Sequence, residues 1–141
     1  MPVTIHLAES SESIARCFVV MSELRPHVAK DAFESRVRRQ QEQGYKLACA
    51  ESEGEVRAVA GFRVFETLAW GRICYVDDLV TREADRGGGF GSALIDWLVA
   101  EARRAGCDEF HLDSGVHRFG AHRFYLHKGM DITCHHFAMK L

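Results

Sequence analysis

Glycine fills four of the six positions in the segment Arg86–Gly91. The residues before it, Ile73–Thr81, are β-branched and aromatic and predict a strand, whereas Ser92–Ala105 has apolar residues at helical spacing. Glycine tolerates positive φ angles and has no side chain, so successive N–H groups in such a turn point into one concavity at the positive end of the helix. A turn of this kind binds phosphate oxygens, and Arg86 adds a positive charge at its rim.

The same glycines would also suit a flexible loop, and two familiar nucleotide motifs fail on spacing. A dinucleotide fingerprint that starts at Gly87 needs glycine where Ser92 stands, and one that starts at Gly89 needs it where Leu94 stands. A P-loop needs a lysine that Phe90-Gly91-Ser92 lacks. ATP and NAD are therefore disfavoured as ligands, while the pattern Arg-x-x-Gly-x-Gly remains.

Composition limits the classes of protein that the chain can belong to. Its 141 residues predict one domain, residues 1–141, and its net charge of −2 argues against a nucleic-acid partner. The sequence contains neither a signal peptide nor an 18-residue apolar run, so we expect a cytoplasmic protein without a membrane partner. Its five cysteines are dispersed without a Cys-x-x-Cys pair, which favours reduced, mostly buried thiols.

Hydrophobic periodicity predicts an α/β (α+β) fold with a mixed sheet, antiparallel early in the chain and parallel at the glycine turn. A short first strand at Val3–Ile5 precedes a helix from Ser10 or Ser11 to Leu24 and a second helix capped by Asp31 and closed by Gly44. The expected strands of the meander are 45–50, 56–65 and 73–81. After the glycine turn and its helix, we expect a strand near Phe110 and Leu112 and a helix over 117–128. The tail, 130–141, is expected to form one or two strands.

A second segment, Ala121–Met130, reads Ala-His-Arg-Phe-Tyr-Leu-His-Lys-Gly-Met about thirty residues after the glycine turn. Paired in this order, the two segments resemble the GNAT-type N-acetyltransferase superfamily, with Met130 in place of the usual aromatic residue. The resemblance implies a mostly antiparallel central sheet with a parallel pair splayed at the cofactor site, flanked by about four helices. It also implies acetyl-CoA as the cosubstrate.

The resemblance assigns cofactor contacts residue by residue. The backbone of Leu79, Val80 and Thr81 would pair with the pantetheine arm. The amides of the glycine turn would hold the pyrophosphate, and they belong to Arg86, Gly87, Gly88, Gly89, Phe90, Gly91 and Ser92. Arg118 stands where many members carry an asparagine that contacts the CoA arm, so the usual contact there is replaced.

Acetyl transfer to an amine requires a base for the ammonium group and an acid for the departing thiolate. By resemblance Tyr125 is the general acid; the alternative is a hydrogen-bonded core tyrosine. Asp77 and Asp78 are adjacent on a strand and are expected to face opposite sides of the sheet, with Asp77 as the base acting through water. In the alternative, both carboxylates only cap loops or bind arginines, and a bulge would change which one faces inward.

Eight histidines raise the question of a metal site. His117, His122 and His127 follow at steps of five residues, and each step advances about 140° around a helix. Their side chains would therefore point in three directions, and no structural metal is predicted. The pattern gives no support for a divalent ion bound through Asp77 or Asp78, and this alternative is left open.

The C-terminal part, with Val116-His117-Arg118 and the ending His136–Leu141, is similar to aminoalkylphosphonate N-acetyltransferases. We therefore expect an acetyl-CoA-dependent N-acetyltransferase that acts on the primary amine of a small molecule by direct attack in a ternary complex. Arg25, His27, His135 and His136 are candidates for the acceptor pocket. The alternatives are a protein or peptide N-acetyltransferase and a catalytically degenerate acyl-CoA-binding regulatory module. A homodimer is expected from the resemblance.

Overall fold

The computed structural model describes residues 2–141, and five strands in it form one sheet in the order β1-β2-β3-β4-β5. The strands are β1 (Thr4–Leu7), β2 (Lys46–Ser52), β3 (Glu55–Thr67), β4 (Gly71–Thr81) and β5 (Glu109–Leu112). The α-helices are α1 (Ser11–Leu24), α2 (Lys30–Gln41), α3 (Phe90–Arg104) and α4 (Phe119–His127). These residues fall into two compact units, one that ends at His111 and one formed by Leu112–Leu141.

Strand pairing follows the predicted mixed pattern. The first four strands pair antiparallel in sequence order, and β5 lies parallel to β4. The turn between β2 and β3 contains Glu53 and Gly54, both at positive φ, as the turn of a tight hairpin requires. The parallel step from β4 to β5 contains α3, because a parallel crossover needs a dozen residues or more. The predicted fold class is confirmed.

Helix starts show where local signals succeed and where they fail. Ser10 caps α1, since its hydroxyl accepts a hydrogen bond of 3.1 Å from the Ser13 N–H. The N-cap of α2 is Ala29, so the prediction that Asp31 caps this helix is wrong. Asp31 lies in the first turn instead, where a carboxylate still interacts favourably with the helix dipole.

The C-terminal tail differs from the prediction. Residues 130–141 contain no strand, and Ile132, Phe137 and Met139 in this segment are exposed. The apolar residues of the tail suit a strand, but a strand forms only where its backbone has a ladder partner, which local sequence does not report. The helix before the tail is also shorter than predicted: α4 begins at Phe119, after His117.

The first unit packs helices against its sheet through two sets of buried side chains. One set joins α1 and α2 to alternate residues of β2 and β3, including Ile14, Val20, Leu47 and Val59. Phe62 of β3 contacts Trp97 of α3 with 6.1 Å between ring centroids, and Leu94 and Leu98 of this helix are fully buried. Within residues 2–141, no helix is long and apolar enough to cross a membrane.

Two adjacent valines on α1 test how this packing contributes to stability. Val20 is 1% exposed and Val19 is 63% exposed. We expect Val20→Ala to lower the free energy of unfolding by about 2 kcal/mol, because two buried methyl groups leave a cavity. Val19→Ala should change the free energy of unfolding by less than about 0.5 kcal/mol, since the side chain at position 19 faces solvent whether it is valine or alanine. Urea denaturation of both variants measures the difference, and equal effects would contradict this assignment of the helix face.

Candidate active site

A β-bulge in β4 controls the position of the two aspartates. Gly61 of β3 pairs with Asp78, and the next residue, Phe62, pairs with Val76, so Asp77 is an extra residue without a partner on β3. A bulge interrupts the alternation of side chains along a strand. Asp77 and Asp78 therefore both line one cavity, and the prediction that they face opposite sides of the sheet is wrong.

The cavity has a volume of about 270 Å³ and belongs to the first unit. Its apolar wall comes from Met21 of α1, from Val28 in the following loop, and from Phe33 and Val37 of α2. Polar groups line the rest of it, namely Arg25, His27, Arg36, Gln40, Tyr45, Tyr75, Asp77 and Asp78. A cavity near the lower end of the usual range for ligand sites suits a small molecule.

Asp77 is held by an arginine of the neighbouring strand. Arg63 donates two hydrogen bonds to the carboxylate, from Nε to Oδ1 at 3.0 Å and from Nη2 to Oδ2 at 2.7 Å. Burial raises the pKa of Asp77 above its ordinary value, and the bonds from Arg63 oppose that rise. The result is a half-buried carboxylate that is more basic than an exposed one.

Asp78 has a different pair of partners. The Tyr45 hydroxyl donates to Oδ2 at 2.7 Å, and Arg25 Nε donates to Oδ1 at 2.8 Å. Burial raises the pKa of Tyr45, and the negative charge of Asp78 raises it further. Tyr45 therefore stays a hydrogen-bond donor at neutral pH. Each aspartate thus has an arginine partner, as the structural alternative expects, and each also borders the cavity.

The space for Tyr45 depends on Gly61. A Cβ atom at position 61 would overlap the ring and hydroxyl of Tyr45, so a glycine is needed where this side chain crosses β3. Sequence reasoning did not select Gly61, Tyr45 or Arg63 as site residues. A glycine in the interior of a predicted strand was the available signal, because it often marks a bulge or a close approach.

One arginine of the cavity has no ion pair. Arg36 of α2 is half-buried, and no carboxylate of residues 2–141 lies within salt-bridge distance of it. Arg25, by contrast, is neutralised by Asp78. Among the histidines proposed for the acceptor pocket, His27 lines this cavity, whereas His135 and His136 belong to the second unit.

The glycine turn is anchored from β3 by an ion network. Asp85, in a short 3₁₀ turn over Glu83–Asp85, accepts from Arg82 Nε at 2.6 Å and from Arg57 Nη1 at 3.0 Å. The hydrogen bond from Arg82 lowers the pKa of this carboxyl group. The Asp85 carbonyl in turn accepts the Gly88 N–H at 3.2 Å, which ties the network to the turn itself.

The turn leads directly into α3. Gly89 is the N-cap residue with φ of 86°, and the helix has no acidic residue in its first turn to neutralise its positive end. The first helical bond runs from the Ala93 N–H to the Gly89 carbonyl, so the amides of Phe90 and Gly91 have no acceptor inside the helix. The Phe90 ring is buried and fixes the turn, while Arg86 is exposed at its rim.

These groups fit the diphosphate of a CoA molecule. A Cβ atom at Gly89 would meet nothing within 4 Å, so the turn borders open space at this position. Leu79, Val80 and Thr81 lie near the end of the strand that leads to the turn, paired with β3 on one side. Strand β5 starts beside Arg72, because the Asp108 N–H just before it donates to the Arg72 carbonyl, and it is only four residues long. Leu79–Thr81 of β4 therefore lie beyond the end of β5.

The second unit carries Tyr125 on α4, with Arg118 as the N-cap residue of that helix. Tyr125 is partly buried; burial raises its pKa, and the charge of Arg118 acts in the opposite direction. A phenol in this state remains protonated at neutral pH, as a general acid must be. His122 Nε2 donates a hydrogen bond of 2.7 Å to the Gly115 carbonyl.

The sequence is similar to those of known acetyltransferases. The profile of the acetyltransferase (GNAT) family matches residues 9–130. The uncharacterized N-acetyltransferase YhdJ of Bacillus subtilis (strain 168) is 32% identical over 127 residues, which are 88% of this chain and 89% of that protein. Aminoalkylphosphonate N-acetyltransferase of Salmonella typhimurium (strain LT2) is 41% identical over 54 residues, 38% of this chain and 35% of that protein.

A solved structure extends the likeness to the whole fold. AAC(6')-Iy in complex with the bisubstrate analogue CoA-S-monomethyl-acetylneamine has a TM-score of 0.86 at 13% identity, covering 100% of this chain and 99% of that one. The chain belongs to the acetyltransferase (GNAT) family, as its two motifs indicate, and it is an N-acetyltransferase. The family and fold support acetyl-CoA as the cosubstrate.

The glycine turn can be tested with a matched pair of variants. We expect Gly89→Val to abolish measurable CoA binding, because valine disfavours positive φ and its side chain would stand over the exposed amides. Gly54→Val is the control, since Gly54 also has positive φ and open space around its Cβ position but lies in the β2–β3 turn. Calorimetric titration with CoA should show unchanged affinity for the control, and unchanged affinity for Gly89→Val would contradict the assignment.

Proposed function

We propose that this enzyme transfers the acetyl group of acetyl-CoA to the primary amine of a small molecule that also carries an anionic group, such as an aminoalkylphosphonate. The observation that carries the proposal is the charge pattern of the cavity. Two carboxylates, Asp77 and Asp78, and the guanidinium of Arg36 line the same 270 Å³ space. A molecule with an ammonium group at one end and an anion at the other matches that pattern.

Arg36 is the group that distinguishes such an acceptor from a plain amine. The positive charges of Arg25 and Arg63 are already neutralised by carboxylates. Arg36 has none among residues 2–141, and its planar guanidinium presents several donors to a phosphonate or carboxylate. The partial identity with an aminoalkylphosphonate N-acetyltransferase agrees with this choice of anion.

The proposed chemistry begins with the amine. An alkylammonium group loses a proton to water held by Asp77, whose pKa is raised by burial. The neutral nitrogen then attacks the thioester carbon, a C–N bond forms, the C–S bond breaks, and the nitrogen loses its second proton to solvent. Tyr125, by resemblance to the family, gives its proton to the departing thiolate and is restored from solvent.

Cysteine chemistry supports direct attack over an acyl-cysteine intermediate. Burial raises the pKa of Cys74 to about 12, and burial also raises the pKa of Cys107. Both thiols therefore stay protonated at neutral pH and are poor nucleophiles. Neither residue lines the cavity that holds the carboxylates.

The acceptor assignment is tested by replacing the unpaired cation. Arg36→Met keeps an unbranched apolar stem and removes the charge-assisted bonds to the acceptor's anion, so KM for aminomethylphosphonate should rise by about 10- to 100-fold. KM for methylamine should stay within about twofold, because this acceptor has no anion. Amine-dependent release of the CoA thiol, followed with a thiol reagent, measures both constants.

Arg39→Met is the matched control for this variant. Arg39 lies on the same helix but is exposed and does not line the cavity. Its replacement should leave both KM values unchanged. The proposal of an anionic small acceptor is wrong if the wild-type enzyme has equal kcat/KM for methylamine and aminomethylphosphonate. It is also wrong if the enzyme acetylates only peptides in a panel that includes both acceptor types.

The proposed general acid is tested separately. Tyr125→Phe removes the phenolic proton while keeping the ring, and we expect kcat to fall by about 10²-fold or more. The affinity for CoA and the thermal stability should change little, since the hydroxyl is the only group removed. Pre-steady-state measurement of thiol release gives the rate of the chemical step. Near-normal turnover would remove Tyr125 from this role and leave it as a packed aromatic residue.

A further inference from the structure

A second group of chemically competent side chains lies on the first unit, away from the carboxylates of the cavity. His6 of β1 and Cys49 of β2 are direct cross-strand partners, and Glu51 follows two residues later along β2. The donor atoms of these three residues lie within 4.8 Å of one another. None of them lines the acceptor cavity or belongs to the glycine turn.

The distances match those around a tetrahedral zinc ion. Cys49 Sγ is 3.5 Å from His6 Nε2, and His6 Nε2 is 3.0 Å from Glu51 Oε2. With ordinary Zn–S and Zn–N bond lengths, tetrahedral ligands lie about 3.6 Å apart for sulfur and nitrogen and about 3.3 Å apart for nitrogen and oxygen. Both separations lie within a few tenths of an ångström of these values. Cys49 Sγ also lies 3.8 Å from His6 Nδ1, so a rotation of the ring would bring Nε2 to face both other ligands.

The surroundings orient these ligands as metal sites usually do. His6 Nδ1 lies 3.2 Å from the Leu7 carbonyl, and donation there directs Nε2 toward Cys49 and Glu51. Arg16 forms an ion pair with the other oxygen of Glu51.

The contact between His6 and Glu51 also suits a cation. His6 Nε2 lies 3.0 Å from Glu51 Oε2, so a proton now joins the imidazole to the carboxylate. A metal ion would replace that proton, and its binding would release protons to solvent.

We propose that His6, Cys49 and Glu51 form a binding site for Zn²⁺, with solvent as the fourth ligand. Thiolate and imidazole donors select zinc over Mg²⁺ or Ca²⁺, which prefer sites made of oxygen atoms. Cys49 is buried, whereas the His6 side chain is 37% exposed and gives the ion a route from solvent. The bound ion would link the first two strands.

Cobalt provides a direct test, because tetrahedral Co²⁺ with thiolate ligands absorbs in the visible and near-ultraviolet. The reduced protein carrying Cys134→Ser should be used, since Cys134 is exposed and could bind cobalt adventitiously. We expect one equivalent of Co²⁺ to produce both d–d and sulfur-to-cobalt bands, and Zn²⁺ to displace it. Saturating Zn²⁺ should raise the Tm by roughly 8 °C.

Variants made in the same background decide which residues bind the ion. Cys49→Ser should remove the sulfur-to-cobalt band, and His6→Gln, at a partly exposed position, should weaken Co²⁺ binding by at least about tenfold. Cys74→Ser is the control, because Cys74 is also fully buried but lies outside the group. The proposal would be overturned if the Cys134→Ser protein showed no sulfur-to-cobalt band. It would also be overturned if the band survived both Cys49→Ser and His6→Gln, or if Cys74→Ser lost the band to the same extent. None of these measurements depends on acetyl transfer.

Discussion

The bulge in β4 is the constraint on which the acceptor side of this enzyme depends. It gives Asp77 no partner on β3 and places it beside Asp78 on the wall of one cavity. Two half-buried carboxylates this close would repel each other, so each needs its own cation, Arg63 for Asp77 and Arg25 for Asp78. Gly61 opposite the bulge leaves room for the Tyr45 ring, whose hydroxyl completes the partners of Asp78.

The same strand also delivers the cofactor side. After Asp78, β4 continues through Leu79–Thr81 and ends at the short turn that contains Asp85. The ion network of Asp85 with Arg57 and Arg82 ties that turn to β3, and the helix that begins at Gly89 directs its amides outward. A strand with an ion-paired end therefore sets the spacing between the carboxylates of the cavity and the glycine turn.

The sequence allowed the order of elements and the glycine turn before α3 to be predicted, because both depend on local chemistry. Gly89 has a positive φ at the start of the helix, and Ser10 caps a helix through a bond to a residue three positions away. The strands of the tail, the Asp31 cap and the opposite faces of Asp77 and Asp78 were predicted wrongly. The tail strands and the faces of the two aspartates depend on partners elsewhere in the chain, which periodicity does not show. The Asp31 error is local, because α2 begins one residue before it, at Lys30.

The sequence by itself determined the family, through Arg86–Gly91 followed by Ala121–Met130, since both motifs are short and contiguous. Only the tertiary structure decided which charges meet. Arg63 reaches Asp77 across a strand pair, Arg36 remains without a carboxylate among residues 2–141, and His6 meets Cys49 through the register of β1 and β2. Register and packing join residues that are far apart in the chain, and long-range contacts of this kind leave no periodic trace in a single sequence.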